Sequence, residues 1–396
     1  MKGPMDGVRV IDLGTMIAGP AAATVLCDQG ADVIKVEPPG MGDLMRHLGA
    51  NLNGVSSLFH NCNRGKRSMV LDLKSEQGRT LLQELVAGAD VVVENFRPGV
   101  TERLGIDYPA LSKHNPDLIY LSVCGFGDRG PMAGQAAYDN VIQTFAGVAQ
   151  SQPSRSSGEP ELYQQLFCDK VTALTGAQAV SAALFARERG ASGQHIRLSM
   201  ADAVVSFLWA DVAGTTSFTE PGAQQGIKIG QGLRLLQFKD GYGTASPVND
   251  KQFHGFCRAF GVDSSHPELA TVADRNRNTD RLLEVMVAVS EAIRSWPVAD
   301  AIAALEAEDV PCAQANDLAD MPDHPQMQAN ESFALIANPA AGAMVEPNNP
   351  ANFSATTSAP LQPAASLGQH SAAILAELGK TEVEISQLQA AGVTSG

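Results

Sequence analysis

The first two hundred residues of the chain alternate between strand-like and helix-like segments. Val8–Leu13 and Asp32–Glu37 are short runs rich in β-branched residues, and between them lie a small-residue turn with Gly19 and Pro20 and a helix to about Gln29. The helical stripe "SEQGRTLLQELVAGA" then precedes two apolar runs, "DVVVENF" and "DLIYLSVCGFG", typical of buried strands. This alternation predicts an α/β fold with a Rossmann-like parallel sheet and ligand sites in the turns after its strands.

The composition changes after about Phe218, which indicates a second domain. "EPGAQQGIKIGQGL" has the character of a linker, and Leu233–Val248 has the alternation and the Asp-Gly turn of a β-hairpin. Helices are expected at Lys251–Phe260, Thr279–Ser295 and Val298–Glu308. We therefore predict a large domain over residues 1–218, completed by 335–396, and a small α+β domain over 225–334.

The end of the chain is expected to cross back to the large domain. The segment 337–366 is rich in Pro, Asn and Ala and predicts an extended path, and the stretch "HSAAILAELG" after it predicts an amphipathic helix.

The charge of the chain argues against several classes of partner. The formal charge is −15 at pH 7 and the pI is about 4.9, so nucleic acids and anionic membranes would be repelled by most of the surface. No apolar run approaches the roughly 18 residues of a membrane span, and the N-terminus lacks the apolar core of a signal peptide. We expect a cytoplasmic enzyme or binding protein.

The cysteines and histidines show no metal-binding spacing. None of the six cysteines forms a CxxC pair, and the eight histidines form no HExxH motif. A metal site is therefore not expected, and the cysteines are expected to be reduced thiols. Cys168 is a conceivable nucleophile, although free cysteines commonly serve as small buried apolar residues.

Basic residues gather at two predicted turns of this acidic chain. Arg64, Lys66, Arg67 and Lys74 lie around one of them, and "ENFRPGVTERLG" adds a further pair, Arg97 and Arg103. Together they would suit a phosphate-bearing ligand, although each alone is more typical of a solvated surface. No GxGxxG or GxxxxGK[ST] motif supports a dinucleotide or a P-loop NTPase.

Asp169 precedes the long helical run Val171–Arg187. One interpretation is an N-cap, because an aspartate side chain accepts hydrogen bonds from the first turn of a helix. The other is a nucleophile, held rigidly and kept ionised by the helix dipole. The segment alone favours the cap and does not exclude the nucleophile.

Several motifs in order along the chain resemble those of the class III coenzyme A transferases, also called the formyl-CoA transferase or carnitine-CoA transferase (CaiB/BaiF) family. "ENFRPG" is moderately specific by itself, and the ordered set spans nearly the whole chain. The stretches are "GVRVIDLGTMIAGP", "ADVIKVEPPG", "NRGKRSMVLDLK", "VVVENFRPGV", "YDNVIQ", "DKVTALTGAQAVSAALFARERGASGQHIRLSM", "KDGY" and "LGQHSAAILAELG".

The resemblance implies a covalent CoA-transferase with Asp169 as its nucleophile. It implies acyl-CoA and a small carboxylic acid as substrates, no tightly bound cofactor, and two chains interlocked as a homodimer. The residues that it places along CoA are Met16, Ile17, Ala18, Leu73, Lys74, Asn95, Phe96, Arg97, Arg103, Gln135 and Tyr138.

The chain departs from formyl-CoA transferases in three places. Pro38 and Ala136 stand where those enzymes carry basic residues, and "GIKIGQGL" is the nearest candidate for their glycine-rich active-site loop. Two alternatives remain open. An α-methylacyl-CoA racemase is similar, but Tyr138 stands where racemases of this type have a histidine. A CoA-binding protein without catalysis would use Asp169 only as a cap.

Overall fold

The computed structural model describes residues 3–224, 230, 233–357 and 360–396. It divides into two compact units, one formed by Met1–Thr219 with Gln328–Gly396 and the other by Glu220–Met327. The first unit is thus built from both ends of the chain, with the second inserted between them. The sequence prediction placed the return to the large unit near residue 335.

A six-stranded parallel sheet forms the centre of the large unit, in the order β5-β2-β1-β6-β7-β8. This confirms the predicted parallel α/β architecture. The strands of the described chain are β1 Arg9–Asp12, β2 Asp32–Glu37, β3 Asn51–Leu52, β4 Val55–Ser56, β5 Arg67–Val70, β6 Val91–Glu94, β7 Ile119–Cys124, β8 Gln194–Ser199, β9 Leu236–Gln237, β10 Tyr242–Ala245, β11 Cys312–Gln314, β12 Phe333–Asn338 and β13 Gly342–Pro347.

Helices pack on both faces of this sheet because successive strand residues point to opposite sides. On one face Val10 and Val91 share a core cluster with residues of α1 and α8, and on the other Ile11 and Val92 share one with residues of α3, α15 and α16. The helices are α1 Ala18–Asp28, α2 Ser57–Asn63, α3 Glu76–Ala87, α4 Val100–Leu104, α5 Tyr108–Leu111, α6 Asp139–Phe145, α7 Val148–Ser151, α8 Phe167–Glu188, α9 Met200–Val212, α10 Asp250–Ala259, α11 Val272–Arg277, α12 Thr279–Ala292, α13 Val298–Ala307, α14 Pro325–Ala329, α15 Ser371–Glu377 and α16 Glu382–Ala390.

The order of the strands reverses between β1 and β6. From β1 the chain proceeds outward through β2 and β5, and from β6 it proceeds the other way through β7 and β8. In open parallel sheets, ligands bind outside the carboxyl ends of the strands at such a reversal. The turns after β1 and β6 are therefore where the fold itself places a site.

The small unit has a core of its own around Phe238, Phe253 and Phe256. Strands β9, β10 and β11 form an antiparallel sheet, and the predicted hairpin is confirmed as the β9–β10 pair. Helices α10, α12 and α13 confirm the three predicted helices, with ends within a few residues of those expected.

The prediction of an extended path over 337–366 is wrong in its first part. Strands β12 and β13 form an antiparallel hairpin that begins before this segment and ends at Pro347. The Asn338 side chain accepts hydrogen bonds from the N–H groups of Ala340 and Ala341, and Gly342 has a φ of 81°, so this turn is built by specific side-chain chemistry. The predicted C-terminal helix is confirmed as α15. Within the described residues, no helix is both long and apolar enough to span a bilayer.

Candidate active site

A cleft of about 840 Å³ lies in the large unit, outside the carboxyl ends of the central strands. Four segments form most of its wall: the turn after β1, the turn after β6, the start of α6, and the approach to α8. The lining residues include Thr15, Met16, Ile17, Ala18, Asn95, Phe96, Arg97, Gln135, Tyr138, Asp139, Gln143, Leu162, Tyr163, Gln165, Leu166 and Asp169.

The turn after β1 is held in an unusual conformation. Met16 has a φ of 61°, a left-handed conformation that is uncommon for a residue with a side chain. On one side of the turn, the Asn95 amide accepts the Thr15 N–H and donates to the Thr15 carbonyl, both at 2.7 Å. On the other side, the Met16 N–H points to Asp43 Oδ1 at 3.4 Å.

A network of buried charges supports this turn from below. Lys66 donates from Nζ to Asp12 Oδ2 at 2.7 Å and also to the carbonyls of Pro20 and Cys62. Lys35 bonds the Gly14 carbonyl and lies 3.1 Å from Asp43 Oδ2. Because these charges compensate one another, the network fixes the backbone and does not present a charge to the cleft.

Three of the predicted basic residues are therefore not available to a phosphate group. Lys66 is 3% exposed within this network. Arg64 pairs with Asp28 and Glu346, and Arg67 pairs with Asp32 and Glu377. The expectation that the basic residues would suit a phosphate-bearing ligand is wrong for these three, because acidic partners distant in the sequence neutralise them. Lys74, Arg97 and Arg103 are exposed and form no ion pair with the described residues.

Asp169 lies in the first turn of α8 but does not cap it. The helix begins at Phe167 with Leu166 as its N-cap, and no side chain caps this end. The Asp169 N–H donates instead to Asp139 Oδ1 at 3.0 Å. The capping interpretation is wrong, because the helix starts three residues earlier than a cap at Asp169 requires, and an aspartate from α6 supplies the acceptor.

The surroundings of Asp169 disfavour its charge. Burial and the neighbouring Asp139 carboxylate raise the pKa of Asp169 to about 7, while a hydrogen bond from the Ala18 N–H opposes the rise. The expectation that the helix dipole keeps this group ionised is therefore wrong, since desolvation and a like charge outweigh the dipole. A carboxylate balanced near neutrality in a cleft is typical of a functional group.

Two buried residues at this position were not predicted as site residues. Asp139 is 3% exposed and Gln143 is 2% exposed. Gln143 donates to Asp139 Oδ2 at 2.7 Å and to the carbonyls of Tyr163 and Gln165, and its Oε1 accepts the Tyr163 N–H at 2.7 Å. The spacing of these two residues in "YDNVIQ", four apart on one face of a helix, is the signal that could have indicated them.

The thiols near Asp169 are poorly suited to act as nucleophiles. Cys168 is fully buried, and burial raises its pKa to about 12. Burial also raises the pKa of Cys62, on α2, to about 11. Because the thiolate is the reactive form of cysteine, these environments disfavour the alternative of a Cys168 nucleophile.

The cleft brings together nine of the twelve predicted site residues. These are Met16, Ile17, Ala18, Asn95, Phe96, Arg97, Gln135, Tyr138 and Asp169. Leu73 is packed against the core on the α3 face, Lys74 is exposed beside it, and Arg103 is exposed on α4, so these three lie outside the lining.

Two expectations concern features beyond this wall. Most of the candidate glycine-containing loop, "GIKIGQGL", falls on residues 226–229 and 231–232, outside the described residues. Among the residues that the structure describes, no three His, Cys, Asp or Glu side chains are grouped as metal ligands would be.

Comparison with known proteins relates the chain to CoA-transferases. The sequence profile of CoA-transferase family III matches residues 5–371. The chain is 36% identical to acetyl-CoA:oxalate CoA-transferase of Acetobacter aceti, over 89% of this chain and 90% of that protein. It is 32% identical to succinate–glutarate CoA-transferase of Agrobacterium fabrum, over 96% and 97%.

A solved structure agrees with these sequence relationships. The fold is similar to that of a CaiB/BaiF family protein from Brucella suis, with a TM-score of 0.82 and 33% identity, covering 96% of this chain and 100% of the other. The profile spans both units of the fold and includes every segment of the cleft wall, and the chain belongs to CoA-transferase family III.

Proposed function

We propose that this CoA-transferase moves CoA from an acyl-CoA to a carboxylic acid through covalent intermediates on Asp169. The observation that carries the proposal is the position of the Asp169 carboxylate on the cleft wall, hydrogen-bonded by the Ala18 N–H and partly desolvated. A desolvated carboxylate attacks a carbonyl more readily than a hydrated one, because less water has to be removed from it.

The first half of the reaction transfers CoA to the enzyme. An ionised Asp169 oxygen attacks the thioester carbonyl, the C–S bond breaks, and CoA leaves as a thiolate, which gives a mixed anhydride. The thiolate then attacks the Asp169 carbonyl carbon and the donor acid departs as a carboxylate. The product is an aspartyl-CoA thioester, which retains the free energy of the original thioester.

The second half reverses these steps with a different acid. The acceptor carboxylate attacks the aspartyl thioester, the thiolate leaves, and a second anhydride forms. The thiolate attacks the acyl carbon of the acceptor, which releases the new acyl-CoA and regenerates the Asp169 carboxylate. The Ala18 N–H already bonds an Asp169 oxygen, so it is placed to stabilise the negative charge that develops there when the Asp169 carbonyl is attacked.

The cleft wall supplies a path for CoA toward Asp169. We assign the turn Met16–Ala18, the turn Asn95–Arg97, and residues Gln135 and Tyr138 to this path because all of them line the cleft. We assign Leu73, Lys74 and Arg103 to contacts with the outer, charged end of CoA. Lys74 and Arg103 are exposed cations without ionic partners among the described residues.

The relatives suggest small carboxylic acids as the other substrate. Their names include the acids oxalate, mesaconate, succinate and glutarate and the thioesters acetyl-CoA and succinyl-CoA. These acids and thioesters form the first panel in which to seek the substrates of this chain.

We also propose that the enzyme is an interlocked homodimer. Large apolar side chains of α8 and α9 are exposed in the single chain, among them Phe185, Phe207 and Trp209, which are 67%, 57% and 49% exposed. Burial by a second copy would remove this apolar surface from water. Light scattering at micromolar concentration tests the proposal, and a monomer would contradict it.

Mass spectrometry of the enzyme with an acyl-CoA alone tests the covalent relay. We expect the Asp169 peptide to gain the mass of an acyl group or of CoA, and hydroxylamine to trap the latter as a hydroxamate. The Asp169→Asn variant should show neither adduct. Modification of Cys168 instead would contradict the assignment.

Solvent deuterium separates transfer from racemisation. A racemase needs two acid–base groups on opposite sides of the α carbon, and no histidine lines the described cleft. Incubation in deuterated water should therefore leave the α carbon of the acyl-CoA unlabelled. Deuterium at that carbon without CoA transfer would favour the racemase.

A further inference from the structure

The side chain of Asn95 is directed at the protein backbone. Its carbonyl oxygen and its amide nitrogen are both bonded to Thr15 at 2.7 Å, the oxygen to the N–H and the nitrogen to the carbonyl. An asparagine whose two polar atoms are paired with one backbone unit has little capacity left for a ligand. In the proposed path, Asn95 would therefore contact CoA mainly through its backbone atoms and not through its side chain.

The backbone unit that Asn95 holds leads directly to Asp169. Thr15 is followed by Met16 in its left-handed conformation, and α1 begins two residues later at Ala18. Ala18 lines the same cleft as Asp169, and a hydrogen bond from the Ala18 N–H lowers the pKa of the Asp169 carboxylate. A strained residue keeps its conformation only where its surroundings enforce it, and here Asn95 binds the residue immediately before the strain.

The packing around Asn95 makes this arrangement specific. A Cβ atom at Gly19 would lie 3.2 Å from Asn95 Cγ, so the first turn of α1 lies directly against the asparagine. The bond from the Met16 N–H to Asp43 Oδ1 is longer, at 3.4 Å. The two 2.7 Å bonds of Asn95 are therefore the closer restraint on the turn.

We propose that Asn95 is a positioning residue that holds the turn from Thr15 to Ala18 so that the Ala18 N–H meets the Asp169 carboxylate. One carboxylate oxygen is thereby fixed, and the other is left to attack the thioester. This inference rests on the proposed function of Asp169 for its catalytic meaning, but the geometry it describes exists in the free protein.

The titration of Asp169 reports on this contact. The titratable groups near the carboxylate are Asp139 on α6, Cys62 on α2 and the adjacent Cys168. The two thiols remain neutral near pH 7 because burial raises the pKa of each to about 11 or 12. Asn95 itself carries no charge, so its removal changes the titration only through geometry.

The experiment compares Asn95→Ala with Asn115→Ala. Asn115 also bonds backbone, donating to the carbonyls of Val86 and Ala89 at 3.1 and 2.6 Å, and it is not among the residues that line the cleft. In protein with 13C-labelled aspartate carboxyls, the Asp169 signal is assigned by its loss in Asp169→Asn. We expect Asn95→Ala to raise the midpoint of this titration by about one pH unit, and Asn115→Ala to leave it unchanged.

Kinetics give the second measurement. In Asn95→Ala we expect turnover to fall more than ten-fold with a smaller change in the KM for acyl-CoA, and its pH profile to move upward with the titration. An unchanged midpoint would overturn the inference, as would a rise in KM without loss of turnover. If the proposed function is wrong, the midpoint still moves while neither protein transfers CoA, so the two failures are distinguishable.

Discussion

Replacing Asp169 by Asn should make the protein more stable at neutral and alkaline pH while it abolishes transfer. The wild-type carboxyl is forced to ionise in a partly buried place beside Asp139, and desolvation followed by this like charge is what raises its pKa to about 7. The amide is neutral at every pH and nearly the same shape. Its oxygen can still accept the Ala18 N–H, so the main change is removal of the charge.

The size and direction of the effect follow from linkage. The unfolded carboxyl titrates near 3.8 and the folded one near 7, so between these values the folded state holds a proton that the unfolded state has lost. The free energy of unfolding of the wild type therefore falls as pH rises through this interval and is constant above it. At about 1.36 kcal/mol per pH unit, the wild type loses on the order of 4 kcal/mol of unfolding free energy across this interval.

Thermal or denaturant unfolding between pH 4 and pH 8 measures this difference. We expect the Asn variant and the wild type to agree near pH 4 and to diverge as pH rises, with the variant more stable at pH 8. The matched control is Asp202→Asn, because Asp202 is also the third residue of its helix, α9, and its N–H is likewise accepted by a side chain, that of Ser199. Asp202 is exposed, so its replacement should cost about 0.3 to 1 kcal/mol from the lost dipole interaction.

Two results would refute this reasoning. If the Asn variant were no more stable at pH 8 than the wild type, the carboxylate would not be destabilised by its surroundings. If it kept most of the transfer activity, Asp169 would not be the nucleophile.

Three further substitutions test other parts of the site. Arg103→Ala should raise the KM for acyl-CoA more than it lowers turnover, because the lost contact is shared by ground state and transition state, and an unchanged KM would remove Arg103 from the proposed path. Gln143→Leu should cost about 1 to 3 kcal/mol in unfolding experiments, because Asp139 and the Tyr163 backbone lose buried partners, and it should speed proteolysis between residues 162 and 166. Lys66→Met should cost about 3 to 5 kcal/mol by leaving Asp12 with only its weaker pairing, whereas an unaltered melting temperature would show that the buried ion pair is dispensable.

The sequence predicted the four central strands, β1, β2, β6 and β7, because they are buried on both faces, and it did not predict β5 or the more exposed β8. Val91–Glu94 and Ile119–Cys124 are continuous apolar runs, and Asp32–Glu37 was predicted with its observed ends. Such runs separated by helical stripes permit few arrangements. The reversal of strand order, which locates the cleft, depends on the pairing of β1 with β6. This pairing joins segments distant in the sequence, so the local pattern of apolar residues does not reveal it.

Where the local sequence was misleading, the residue's actual bonding partner lies far from it in the sequence. The segment around Asp169, taken alone, favours a cap over a nucleophile, because an aspartate before an apolar helical run has that role in many proteins. The acceptor that replaces it, Asp139, comes from another helix thirty residues earlier. Local basicity indicates that Arg64 and Arg67 would suit a phosphate-bearing ligand, but their partners include Glu346 and Glu377, which the fold brings from the C-terminal part.

Two aspartates of this unit, Asp12 and Asp169, show how environment separates structure from chemistry. Burial alone would raise the pKa of Asp12, but Lys35 and Lys66 outweigh it and hold the pKa below its usual value. Asp169 has no such cation; its neighbour is the Asp139 carboxylate, and its pKa is raised. Asp12 is therefore ionised and anchors the turn after β1. Asp169, which contacts the far end of that turn at Ala18, has a poorly compensated charge when it ionises. Opposite shifts of one residue type within one site support a structural role for the first and the proposed reactive role for the second.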